Sequence, residues 1–147
     1  MSEIQQSDGN IVQIDLTQTP NEVPQVEAGQ YKFEIISCEL KPNKAGDGWN
    51  IVARQKVVTE GPMYGREITD FMSVNQTDPN KNVRIRHFTL CALGTVPVPL
   101  ALNAFPGKIV EAVVTQTPDK QDSTKLYSNI KDYIVPKDVL DANPVKK

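Results

Sequence analysis

Five blocks of strand character, most of them alternating apolar and polar residues, are set off by turns rich in glycine and proline, and one block of helical period lies between the third and fourth. Together they predict a mainly β domain: a five-stranded barrel of the OB type with one helix between its third and fourth strands. An irregular sandwich decorated by one helix fits the same order. The length of 147 residues suits a single domain with tails, and 39% hydrophobic residues are enough for a core without disulfide or metal staples.

Residues 1–28 read as an acidic, mostly flexible leader. Met1 to Gly29 carries Glu3, Asp8, Asp15, Glu22 and Glu27 and no Lys or Arg. Only Ile11 to Leu16 has strand character there, suited to an edge strand. The leader is expected to be dispensable for folding. Its acids suggest either a solubilising tail or a segment that lies over a basic groove and competes with nucleic acid.

Residues 29–136 hold the predicted domain. In the first strand, Tyr31 to Leu40, Tyr31, Phe33 and Ile35 share the core face against Lys32 and Glu34. Pro42, Gly46 and Gly48 end it. The second strand, Trp49 to Thr59, puts Ile51, Ala53 and Val57 opposite Asn50, Arg54 and Lys56. After the turn cluster Glu60 to Gly65, the third strand, Arg66 to Val74, sets Ile68, Met72 and Val74 against Glu67, Thr69, Phe71 and Ser73. The period then lengthens. Asp78 is a capping residue, Pro79 suits a first helical turn and Gly94 a helix end, and Ile85, Phe88 and Ala92, with Cys91 beside them, face the core. A proline-rich connection from Val96 to Pro106 leads to a fourth strand, Ile109 to Gln116, and a polar loop leads to the fifth, Leu126 to Val135. Residues 137–147 read as a polar C-terminal tail.

Charge and composition exclude several function classes. The 16 basic and 18 acidic residues give a net charge of −2, so binding through bulk positive charge is excluded and any polyanion site is a local patch. From Gln30 onward the balance is 16 basic to 13 acidic, a net of +3. Cys38 and Cys91 lie too far apart for a paired metal or redox motif. No signal-peptide pattern and no run of ~20 apolar residues is present, which points to the cytoplasm and away from membranes. The sequon Asn75-Gln76-Thr77 is therefore read as a chance match. His87, the single histidine, falls on the helix, and there is no nucleophile elbow, phosphate-cradling loop or paired carboxylate. These absences point to a binding protein that is not an enzyme and needs no cofactor.

The chain resembles the OB-fold single-stranded-DNA-binding proteins of bacteriophages, a family long catalogued in part as phage proteins of unknown function. The likeness lies in Ala28-Gly29-Gln30-Tyr31 at the first strand, Lys44-Ala45-Gly46-Asp47-Gly48-Trp49 entering the second and Gly61-Pro62-Met63-Tyr64-Gly65-Arg66 entering the third. It continues in Leu90-Cys91-Ala92-Leu93-Gly94, Phe105-Pro106-Gly107-Lys108 and Tyr127-Ser128-Asn129-Ile130, and spans about Ala28 to Pro136. The resemblance implies sequence-independent single-stranded DNA binding in phage replication or recombination, in the host cytoplasm. Phage or host replication proteins would be further partners, and a homo-oligomer is left open. Many relatives recruit such proteins through an acidic, aromatic-tipped tail. This chain ends Asn143-Pro144-Val145-Lys146-Lys147, which departs from that pattern.

Single-strand binding needs aromatic faces for bases and cations for phosphates. The candidates are Trp49, Tyr64, Phe71, Tyr127 and Tyr133 for stacking, and Arg54, Lys56, Arg66 and Lys131 for phosphates. Each has a competing reading. Arg54 and Lys56 also suit a solvated strand face, Trp49 a packing plug, and Phe71 an aromatic covered by the leader. Tyr127, Asn129, Lys131 and Tyr133 alternate with Ile130 and Ile134 as one polar strip. Lys81, Arg84 and Arg86 form the most basic stretch, which reads as a solvated helix face. A protein-interaction module on the same barrel, such as a phage structural or host-inhibiting protein, is the alternative function.

Overall fold

A computed structural model describes residues 6–7, 11–21, 24–122 and 124–145. A small antiparallel pair, β1 (Gln6–Ser7) and β2 (Ile11–Val12), precedes the main sheet. That sheet contains β3 (Gly29–Pro42), β4 (Trp49–Val57), β5 (Glu67–Val74), β6 (Ile109–Pro118) and β7 (Leu126–Tyr133). Its five strands are antiparallel in the order β5-β4-β3-β6-β7. Between β5 and β6 the chain makes a 3-10 turn, Pro79–Asn82, and helix α1 (Val83–Leu93). Asp78 caps the turn by accepting from the Asn80 amide at 3.0 Å. Gly94 ends α1 at φ 74°, a left-handed conformation that glycine adopts at little cost, and its amide donates to the Leu90 carbonyl.

The two-residue period puts Ile51, Ala53, Gln55 and Val57 of β4 and Ile68, Asp70 and Met72 of β5 inward. Helix α1 covers this side with Ile85 and Phe88. At the centre Phe88 stacks on Phe105 with ring centroids 4.9 Å apart and meets Tyr133 edge-on at 5.1 Å. Such pairs add about 0.5–1.5 kcal/mol each beyond their burial.

Two register shifts interrupt the alternation. In β3 the shift between Ile35 and Ser37 brings Cys38 inward with Phe33 and Ile35. In β6 and β7 the partners pass from Val114↔Ile130 through Val113↔Asp132 to Ala112↔Tyr133, so Lys131 is one extra residue in β7, and Ile130 and Tyr133 both face inward. Tyr133 is therefore a core residue, 4% exposed, and does not belong to the polar strip with Tyr127 and Lys131. The bulge is the physical reason for this correction.

No backbone ladder joins edge strands β5 and β7 among the described residues. Side chains bridge them instead. The Tyr133 hydroxyl donates to Asp70 Oδ2 at 2.7 Å and accepts from Gln55 Nε2 at 2.9 Å. Arg84 of α1 holds both Asp70 oxygens at 3.1 Å and also donates to the Ile130 and Lys131 carbonyls at the bulge. Burial and the Asp70 carboxylate push the Tyr133 phenol well above its ordinary range, so it remains a donor.

Ile11 to Leu16 is exposed, and only Ile11–Val12 forms strand, paired with β1 and not with the main sheet. Val26, by contrast, is completely buried. Its carbonyl accepts from the Ser128 hydroxyl, and the Gln25 carbonyl accepts from Arg66 Nη1 at 2.8 Å. The end of the leader is thus part of the folded unit. In the polar tail, Pro136 precedes helix α2 (Lys137–Ala142). Asn143 then ties this segment to α1: its backbone carbonyl accepts from Arg86 Nη2 at 2.6 Å, and its side-chain Nδ2 donates to the Gly94 carbonyl at 3.0 Å.

Candidate nucleic-acid interface

The face of β3, β4 and β5 away from α1 carries Arg54, Lys56 and Phe71, as the alternation predicts. Phe71 stands opposite Val52 in the ladder and is 64% exposed; the described residues of the leader do not cover it. The cations on this face are matched by acids. Arg54 Nε donates to Glu67 Oε1 at 2.7 Å in a solvent-exposed pair that water and salt screen. That hydrogen bond lowers the Glu67 pKa below its ordinary value and raises that of Arg54. Lys56 lies in register between Glu34 and Glu67.

Beside Phe71, at the seam between β5 and β7, an open groove of about 450 Å³ is lined by Thr69, Phe71, Ser73, Lys81, Arg84 and Asn129, with Asp70, Met72 and Ile130 at its floor. No backbone ladder closes this seam among the described residues, and side chains cross between the two edge strands. Asn129 is oriented by donating to Thr117 Oγ1 at 2.9 Å. Tyr127 lies two residues along β7 on the same side, about half exposed, and its hydroxyl donates to Asp119 Oδ2 at 3.3 Å. Lys131 is exposed on the bulge beside Asp132.

The remaining candidates lie elsewhere. Trp49 shares the parity of Ile51 but sits at the open end of β4, about half exposed. It lines a second concavity of about 410 Å³ with Gly46, Gly48, Asn75, Gln76 and Thr77. A compact turn delivers it there: the Asn43 amide donates to the Gly48 carbonyl, and the Asn43 side chain donates to Asp47. Asn75 belongs to the turn after β5, its Oδ1 accepting from the amides of Thr77 and Asp78. Tyr64 is exposed in the turn beyond the other end of β4, separated from Trp49 by about 27 Å of strand. Arg66 anchors Gln25 and also contacts Met63 Sδ at 3.3 Å, which makes it a structural residue.

The structure therefore brings together Phe71 and three groove residues that the sequence did not single out as binding groups, Lys81, Arg84 and Asn129, with Tyr127 two residues from Asn129 along β7. It disperses Trp49, Tyr64 and Arg66, and buries Tyr133. The signal for Lys81 was its position: it follows β5 after one short turn and so returns to that strand's open edge. Among the described residues, no three His, Cys, Asp or Glu side chains gather into a group that could hold a metal, and no helix is long and apolar enough to cross a membrane. No protein-family model matches the chain, and no curated protein matches it significantly.

Proposed function

We propose that the protein binds single-stranded DNA without sequence preference and without catalysis, in phage replication or recombination in the host cytoplasm. On this reading the fold is an OB-type barrel whose β5–β7 seam is closed by side chains. The observation that carries it is Phe71: a large aromatic, 64% exposed on a polar strand face, at the rim of a groove that also presents Lys81, Arg84 and Asn129. An aromatic face stacks on any base, at about 1–3 kcal/mol per base, while a cation beside it meets the phosphate without reading sequence. Tyr127 continues the same side of β7.

Titration with labelled oligo-dT and with duplex of equal length, across a range of salt, tests this. The single strand is expected to bind more tightly, with log affinity falling against log salt at a slope of roughly −0.7 per phosphate neutralised. Binding to neither DNA would favour the protein-interaction module, for which Val96, Val98 and Val145, exposed around a cleft at the C-terminal end, supply apolar surface.

A further inference from the structure

We infer that the single strand follows the β5 edge, from Tyr127 through the Phe71 groove to the concavity at Trp49, with Lys81 as its phosphate contact, and does not cross the charged face of β3 and β4. The inference rests on the single-strand reading and adds the route and the residues that define it.

Three observations carry it. The two concavities are consecutive along one stretch of chain: the first is lined by β5 from Thr69 to Ser73, and the second by Asn75 to Thr77 immediately after it. Each presents one exposed aromatic, Phe71 in the first and Trp49 in the second. The cations divide in the same way. On the β3–β4–β5 face Arg54 is held by Glu67, Lys56 lies between Glu34 and Glu67, and Glu39 stands opposite Val52, so a phosphate there meets carboxylates as often as cations. Lys81 is exposed, lines the first groove, lies near the turn leading to the second and has no ion pair among the described residues. Arg84 is already fixed by Asp70 and two carbonyls. Its place is to hold the seam open at a set width, as a positioning residue.

The test is fluorescence anisotropy with labelled oligo-dT on the full chain, over a salt series, with a thermal melt of each variant. Lys81→Gln is expected to bind about 3–10-fold more weakly at low salt, with a log–log slope shallower by about 0.7. Trp49→Ala is expected to lose about 5-fold or more, and Trp49→Phe to recover most of that loss. Arg54→Gln changes affinity less than about twofold and leaves the slope as it was. If Lys81→Gln and Trp49→Ala bind like the parent while Arg54→Gln flattens the slope, the strand crosses the sheet face and the route is overturned, with single-strand binding intact. If the parent protein does not bind oligo-dT, the functional reading fails, and the route with it.

Discussion

Tyr133→Ala is expected to destabilise the fold by about 3–5 kcal/mol, a fall in melting temperature on the order of 10 °C or more. The ring is 4% exposed and packs edge-on against Phe88, so truncation opens a cavity at the centre of the aromatic cluster. Its hydroxyl also joins Asp70 and Gln55, and both lose that partner. Tyr133→Phe keeps the ring and removes only the hydroxyl, at about 1–3 kcal/mol. Tyr127→Ala, half-exposed on the same strand, is expected to stay within about 1 kcal/mol of the parent. Urea melts of the three variants check the order. A Tyr133→Ala protein that melts like the parent but loses oligo-dT binding would return Tyr133 to the surface strip.

Truncation of the leader is expected to have two outcomes that depend on six residues. Residues 11–21 are all exposed, and removing residues 1–21 also takes away the charges of Glu3, Asp8 and Asp15, so stability is expected to stay within about 0.5 kcal/mol and oligo-dT binding to hold or tighten. Removing residues 1–27 also takes Val26 out of the core and breaks the contacts of Gln25 and Val26 with Arg66 and Ser128. Burial of a valine contributes about 1.5–3 kcal/mol and each hydrogen bond about 1 kcal/mol, so a loss of roughly 3–5 kcal/mol follows. Two truncations that melt alike would contradict the structural role of Val26.

Alternation alone was enough to orient β4 and β5. It set Ile51, Ala53 and Val57 against Arg54 and Lys56, and it put Phe71 on the polar side, where it stands exposed. Asp78 and Gly94 likewise marked the bounds of the helical segment. Alternation failed at Tyr133 because counting by two assumes an unbroken register. Nothing in Lys131-Asp132 announces that Lys131 is an extra residue in the ladder. Val26 was illegible for a different reason: Val23 and Val26 among polar residues and prolines are too few to set a period, and the burial of Val26 depends on β7 and the turn around Met63 arriving from distant parts of the chain. Helix α2, only six residues long, is too short to show a period. The joining of β5 to β7 was also hidden, since strand order does not say how the first and last edges meet. Here Arg84, Asp70 and Tyr133 do it from three separate elements.

The affinity of Phe71→Ala for oligo-dT, measured beside the parent protein and a duplex control, tests the central claim most directly. The parent is expected to prefer the single strand. Phe71→Ala is expected to weaken that binding by about 1–3 kcal/mol, roughly 5- to 150-fold, with a melting curve that overlays the parent's, because its ring is largely exposed. A Phe71→Ala protein that binds oligo-dT as tightly as the parent, or a parent that binds single strand no better than duplex, would contradict it.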